Sequence, residues 1–217
     1  MNSVLIIGCG DIGQRVGKLC QEKSTAVYGL VRSEESAERL ESLKISPIRG
    51  DLSQSETLRS LSSDFIKGAD IYYFAPPPSE GTSDPYIHNF LAALSTAILA
   101  NSQPAKIILL STTAVYGDCQ GAWITEDQPT NPQTDRGLRR LDAEKSLQNW
   151  SEKTGVPSVV LRVGGIYGSG RFPIERLQKG LPILKEAESP FTNRIHQDDL
   201  AQICVAAAKF GKKWRGL

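Results

Sequence analysis

The chain has 217 residues, 40% hydrophobic and 7% aromatic, and its 25 Lys and Arg against 24 Asp and Glu leave a formal charge of +1 at pH 7. That length suits one domain with a substantial core, and the balanced charge offers no basic stripe for nucleic acid and no polybasic run for a membrane surface. Apolar runs are of strand length, short of the ~18 residues of a membrane span, and no basic n-region precedes Val4, so neither a span nor a signal peptide is expected.

The first element, Val4-Leu5-Ile6-Ile7, is a short apolar strand that breaks at Gly8-Cys9-Gly10-Asp11-Ile12-Gly13 into a helical stretch. In such a turn Gly8 permits the tight bend, Gly10 lets the backbone approach a pyrophosphate, and Gly13 lets the helix pack close to the strand. The free N–H groups that open the helix then face an anion, helped by the helix dipole. Strand, G-x-G-x-x-G and helix in that order favour a dinucleotide site over an ordinary strand–turn–helix.

Residues 26–31 form the second strand. Ser33 is placed to cap the next helix, with Glu34 and Glu35 in its first turn and Ala37, Leu40 and Leu43 turned inward. Residues 47–49 are a third strand ending at Gly50-Asp51-Leu52, and Leu58, Leu61 and Phe65 have helical spacing. Residues 71–75 are a fourth strand, stopped by Pro76-Pro77-Pro78, and 86–100 read as a helix rich in alanine and leucine. The continuous apolar run 107–110 marks a strand covered on both faces. A polar, proline-containing loop leads to a helix at 138–150, a buried strand at 159–163 and a last helix at 198–209. Repeated β-α order argues a doubly wound parallel sheet, with ligands at the strand tips where strand order reverses. The four cysteines, Cys9, Cys20, Cys119 and Cys204, lack C-x-x-C spacing and read as reduced thiols of a cytoplasmic protein. The two histidines, His88 and His196, lie far apart, which argues against a zinc site.

The nucleotide is read from the end of the second strand, Tyr28-Gly29-Leu30-Val31-Arg32-Ser33. An NAD site usually places a carboxylate there, about 20 residues after the glycines. Here there is none. Arg32 stands at the strand tip, where its fork suits a 2′-phosphate, and Ser33 adds a hydroxyl. These residues favour NADP over NAD, against the alternative that Arg32 is a solvated charge and Ser33 only a cap. Asp51 suits the adenine edge or, almost equally, a turn after Gly50.

With these residues in place the chain resembles the extended short-chain dehydrogenase/reductase family, the NAD-dependent epimerase/dehydratase group. Beyond the glycines the resemblance rests on Gly50-Asp51-Leu52, on Leu109-Leu110-Ser111-Thr112-Thr113-Ala114-Val115-Tyr116-Gly117, on Leu161-Arg162-Val163-Gly164-Gly165-Ile166-Tyr167-Gly168, where Val163 replaces a proline, and on Arg194-Ile195-His196-Gln197-Asp198-Asp199-Leu200-Ala201. It implies an α/β, Rossmann-like single domain over residues 1–217 with a small substrate-side insertion at 164–194. It further implies a cofactor held by Gly8, Gly10, Asp11, Ile12, Gly13, Arg32, Ser33, Asp51, Leu52, Ala75, Pro76, Arg140 and Val163.

The family's catalytic signature is Tyr-x-x-x-Lys beside a Ser or Thr. Thr112 matches the hydroxyl. In Arg136-Gly137-Leu138-Arg139-Arg140-Leu141-Asp142-Ala143-Glu144, however, Arg136 stands for the tyrosine and Arg140 for the lysine. A tyrosine of pKa ~10 can be tuned toward neutrality by a nearby cation, but arginine keeps its proton and cannot act as general base. Three readings follow: another acid/base among Tyr116, Asp135, Tyr167 and His196; an electrophilic role for Arg136; or dinucleotide binding without turnover. The substrate side is expected at 119–134 and 168–193, with Arg171 and Arg194 as candidate anion binders, and the expected partner is a small molecule, phosphorylated or nucleotide-linked. The family continues beyond the point where Phe210 to Leu217 close this sequence, which implies a reduced substrate lobe, native or truncated. A homodimer through 86–100 and 138–150 is the family's usual pairing; burial of those helices against the sheet is the alternative.

Overall fold

A computed structural model describes residues 3–61, 63–171, 174, 178–180, 182, 185 and 192–211. The elements run β1 (Val4–Ile7), α1 (Asp11–Gln21), β2 (Val27–Val31), α2 (Glu34–Ser42), β3 (Ser46–Arg49), a 3-10 turn (Ser55–Ser60), α3 (Ser63–Ile66), β4 (Asp70–Tyr73), α4 (Pro85–Leu99), β5 (Lys106–Thr112), a second 3-10 turn (Thr113–Tyr116), α5 (Asp135–Thr154), β6 (Ser158–Val163), β7 (Gly165–Tyr167), β8 (Arg194–His196) and α6 (Gln197–Phe210). Six parallel strands pair in the order β3-β2-β1-β4-β5-β6, and β7 pairs with β8 in a separate parallel ribbon.

Side chains alternate across this sheet. Leu5, Ile7, Ile71, Tyr73, Ile107 and Leu109 enter one core with Phe90 and Leu94 of α4 and Leu147 and Trp150 of α5. Val4, Ile6, Tyr72 and Ile108 enter the other with Val16 of α1, Leu40 of α2 and Leu200 and Cys204 of α6. A sheet covered on both faces needs apolar residues on both, so its strands read as unbroken apolar runs instead of alternating ones. The chain reverses direction across the sheet between β1 and β4, and the crevice at their C-terminal ends is the ligand position of such sheets.

The 55–65 region departs from its helical spacing. The Thr57 hydroxyl accepts from the Asp51 N–H at 2.7 Å and donates to the Gln54 carbonyl at 2.7 Å, and this local bonding holds a tight 3-10 turn in competition with an α-helix. α5 starts earlier than its apolar spacing suggests: Thr134 caps it by accepting from the Gly137 N–H at 3.1 Å, and Gly155, at φ +75, ends it. Of the insertion expected at 164–194, the β7–β8 ribbon is described. Residues 172–173, 175–177, 181, 183–184 and 186–191, and residues 212–217 of the C-terminal stretch, lie outside the described residues. Among the described residues no helix is long and apolar enough to cross a membrane.

Candidate dinucleotide site

The glycine turn leaves β1 beside the start of the chain after β4. Gly8 has φ +88, and a Cβ there would stand 2.4 Å from the Ala75 backbone nitrogen, so both the conformation and the approach of the chain after β4 require glycine. A Cβ at Gly13 would stand 3.0 Å from the Gly8 carbonyl oxygen and from Ile6 Cγ2, which is the close packing of helix on strand. Gly10 is different: among the described residues nothing lies within 4 Å of the place its Cβ would take. It is the N-cap of α1, no side chain caps that turn, and the first helical bond is from the Gln14 N–H to the Gly10 carbonyl at 2.9 Å. Among the described residues the N–H groups of Asp11, Ile12 and Gly13 have no hydrogen-bonding partner, and they stand at the positive end of the helix dipole. Ile12 is buried and anchors this turn to the core. Burial pushes the Cys9 thiol up to about 12, so it is an inert filler between the glycines.

The Asp11 side chain is held in ion pairs. Its carboxylate accepts from Arg15 Nε and from Arg171 Nε, each at 2.9 Å, and Arg15 also pairs with Asp198. Burial works against ionisation, but the hydrogen bonds from Arg171 and Arg15 hold the Asp11 carboxyl below its usual value. Arg171, expected on the substrate side, is thus tied to the first residue of α1. Arg194, the other candidate, opens β8 and is exposed.

At the end of β2, Arg32 is exposed and has no hydrogen bond or ion pair among the described residues; its charge acts on Asp51. The Ser33 hydroxyl caps α2, accepting from the Ser36 N–H at 3.2 Å and donating to Ser36 Oγ at 2.9 Å. Asp51 Oδ1 accepts from the Ser53 N–H and hydroxyl, both at 2.8 Å, and these bonds lower its pKa. Leu52 is half-buried, and its carbonyl accepts from Asn89 Nδ2 at 2.8 Å.

On the other side of the crevice Arg140 Nη1 donates to the Ala75 carbonyl at 3.2 Å. Ala75 is buried and Pro76 exposed. Thr112 and Val163 are register partners at the ends of β5 and β6. The Thr112 hydroxyl accepts from the Ala114 N–H at 3.2 Å, capping the second 3-10 turn. Arg136 lies in the first turn of α5, exposed, close enough to Arg140 for like charges to act on each other. Gly137 lets the start of α5 lie close against the second 3-10 turn, because a Cβ there would stand 3.0 Å from the Ala114 carbonyl oxygen.

The other acid/base candidates are less free. Tyr116 is buried, and its hydroxyl accepts from Arg162 Nη1 at 3.0 Å. Asp135 is the first residue of α5, exposed, while Thr134 does the capping. Tyr167 and His196 form an edge-on ring pair with centroids 5.2 Å apart, and His196 Nδ1 accepts from the Asp198 N–H. Among the described residues no three His, Cys, Asp or Glu converge on a metal position.

Sequence reasoning missed a buried ion pair beneath this region. Arg162 Nη2 meets Glu144 Oε2 at 2.8 Å, and Ser111 Oγ donates to Glu144 Oε1. The pair ties β6 to α5 and β5. Arg162 sits in the Leu161–Gly168 segment that carries the resemblance, and Glu144 closes the Arg136–Glu144 segment; these placements are the available signal. A cavity of about 350 Å³ opens between the 127–130 loop and α5, lined also by Arg162, and touches none of the glycine-turn residues.

Known proteins resemble this chain in sequence and in fold. Protein YeeZ of Escherichia coli K12 is 30% identical over 178 residues, 80% of this chain and 62% of its own length. A UDP-glucose 4-epimerase of Azospirillum brasilense is 27% identical over 183 residues, 81% of this chain and 51% of its own. The chain therefore spans about half to three fifths of these relatives. The crystal structure of Thermus thermophilus UDP-glucose 4-epimerase in complex with NAD superposes with a TM-score of 0.77 at 21% identity, over 97% of this chain and 75% of that one, a likeness of fold. The family model for the NAD dependent epimerase/dehydratase family matches residues 4–214, and the chain belongs to that family.

Proposed function

We propose that the chain binds an adenine dinucleotide, NADP in preference to NAD, and works as an epimerase-type oxidoreductase on a carbonyl or sugar-nucleotide substrate. The observation that carries this is the open, uncapped first turn of α1 above Gly10. Gly10 and the N–H groups of Asp11, Ile12 and Gly13 would hold the diphosphate, with Gly8 shaping the turn. Arg32, exposed at the β2 tip, would take the 2′-phosphate; Ser33 beside it is committed to its cap. Asp51 and Leu52 would border the adenine, and Ala75, Pro76, Val163 and Arg140 the nicotinamide half. When bound, the nicotinamide supplies a hydride donor or acceptor.

The chain's own part in such a reaction is electrostatic. The Thr112 hydroxyl spends a lone pair on Ala114 and keeps its proton to donate to a substrate oxygen. Arg136, always protonated, would stabilise negative charge on that oxygen. Neither accepts a proton. This favours a second reading, a protein that binds NADP(H) without turnover. The double variant Arg136→Tyr/Arg140→Lys separates the two. Wild-type hydride transfer on a carbonyl or sugar-nucleotide substrate, reduced by Thr112→Ala, supports the enzyme. No wild-type turnover, with a rate gained by the double variant, supports the binding protein. A homodimer belongs to the same proposal, supported by the exposed stripe His88, Ala92, Thr96 and Leu99 on α4.

A further inference from the structure

Asp84 and Tyr73 each carry a buried oxygen with no hydrogen-bonding partner among the described residues, and the charge of Arg140 acts on both. Asp84, wholly buried, caps α4: Oδ1 accepts from the N–H groups of Tyr86 at 3.1 Å and Ile87 at 3.4 Å, while Oδ2 has no partner. Tyr73, on β4, is equally buried, and its hydroxyl is unpartnered. Burial raises the pKa of the Asp84 carboxyl, and the positive charge of Arg140 is among the influences opposing that rise. Burial in turn works against the charge on Arg140, and the negative charge of Asp84 is the largest influence that supports it. Such groups are costly to bury uncompensated. Asp84 compensates Arg140 without a direct hydrogen bond to it.

That separation has a chemical consequence. A guanidinium carries five N–H donors. Among the described hydrogen bonds Arg140 uses one, to the Ala75 carbonyl, and the Ala75 backbone lies against the Gly8 turn. A carboxylate bonded directly to Arg140 would consume two donors in a fork; one that acts through space leaves them free. Asp84 is itself fixed: its N–H donates to Asp142 Oδ2 at 2.8 Å, and Arg139 holds the Gly81 carbonyl, so the loop between β4 and α4 rests on α5.

We propose that Asp84 is a positioning residue of the dinucleotide pocket, holding Arg140 by charge so that the guanidinium, anchored on Ala75, keeps donors for the ribose of the nicotinamide half. This rests on the cofactor reading above. Calorimetric titrations with NADH, NADPH and ADP on wild type, D84N, R140M and the double variant test it. Asparagine caps a helix as well as aspartate does, so D84N removes the charge and keeps the cap. D84N and R140M should each weaken NADH and NADPH by about tenfold or more, the scale of a charge-assisted bond. ADP, which lacks the second ribose, should bind unchanged, and the double variant should be no weaker than R140M.

Wild-type NADH affinity should also fall on acidification, as Asp84 takes up a proton above the ordinary carboxylate range, and D84N should abolish that fall. The ionisable groups that act on Asp84 are Tyr73 on β4 and Arg140 and Asp142 on α5; Asp142→Asn controls for the other carboxylate. Equal loss of ADP and NADH in D84N, additive losses in the double variant, or D84N binding like wild type would overturn the proposal. If D84N does not fold, Asp84→Ser, another neutral cap, is measured in the same way. Wild type binding ADP and NADH while R140M matches it overturns this inference alone. Wild type binding none of the three overturns the cofactor reading, and this inference with it.

Discussion

Gly10→Ala separates binding from folding at a single methyl group. Gly10 has φ −79 and ψ −153, an extended conformation open to alanine, and its Cβ would meet nothing within 4 Å. Alanine lowers the entropy of the unfolded chain, stabilising by about 0.4–1 kcal/mol, and is a poorer N-cap than glycine by roughly the same amount. The two effects offset, and stability should stay within about 1 kcal/mol, a Tm change of about 2–4 °C for a domain of this size. The methyl group would occupy the space above the first turn of α1, where the diphosphate must approach the backbone. Affinity for NADPH should fall by at least about tenfold, or 1.4 kcal/mol. Differential scanning fluorimetry and a fluorescence titration on the same preparation read both quantities. An alanine variant that binds NADPH like wild type would refute the diphosphate site. A collapse in Tm with the methyl in open space would refute the geometry of the turn.

Arg32→Ala should weaken NADPH by about tenfold or more while leaving NADH within about twofold, since a charge-assisted bond to the 2′-phosphate exists only for the former; equal weakening of both, in parallel titrations, removes the argument for NADP. Glu144→Gln should strand the Arg162 charge, whose side chain is 15% exposed against 5% for Glu144. Breaking such a pair costs about 3 kcal/mol, which lowers Tm by about 6–12 °C at this chain length, and a Tm within experimental error of wild type would show the pair to be dispensable.

The parts legible in the sequence are those fixed by backbone geometry and by period. Gly8, Gly10 and Gly13 announce the turn because no other residue satisfies all three of its requirements, and the apolar runs around Ile6, Ile71 and Ile108 announce strands buried on both faces. The 55–65 segment misled because the Thr57 hydroxyl's bonds to Asp51 and Gln54 outweigh the helical spacing of Leu58 and Leu61. Ser33 reads in the sequence as a helix cap or a cofactor hydroxyl; the structure shows the cap, which depends on where α2 begins. Arg171 reads as a substrate-side cation, and its partner, Asp11, lies 160 residues away in sequence. Arg162 with Glu144, and Asp84 with Arg140, were hidden for the same reason: burial and pairing are properties of the folded chain, and no local pattern encodes them.

Isothermal titration of the wild-type protein with NADPH, NADH and ADP decides whether the amides opening α1 bind a dinucleotide diphosphate. Saturable one-to-one binding of all three, tightest for NADPH, is expected. Heats indistinguishable from buffer dilution for all three at millimolar ligand would leave α1 without a diphosphate site.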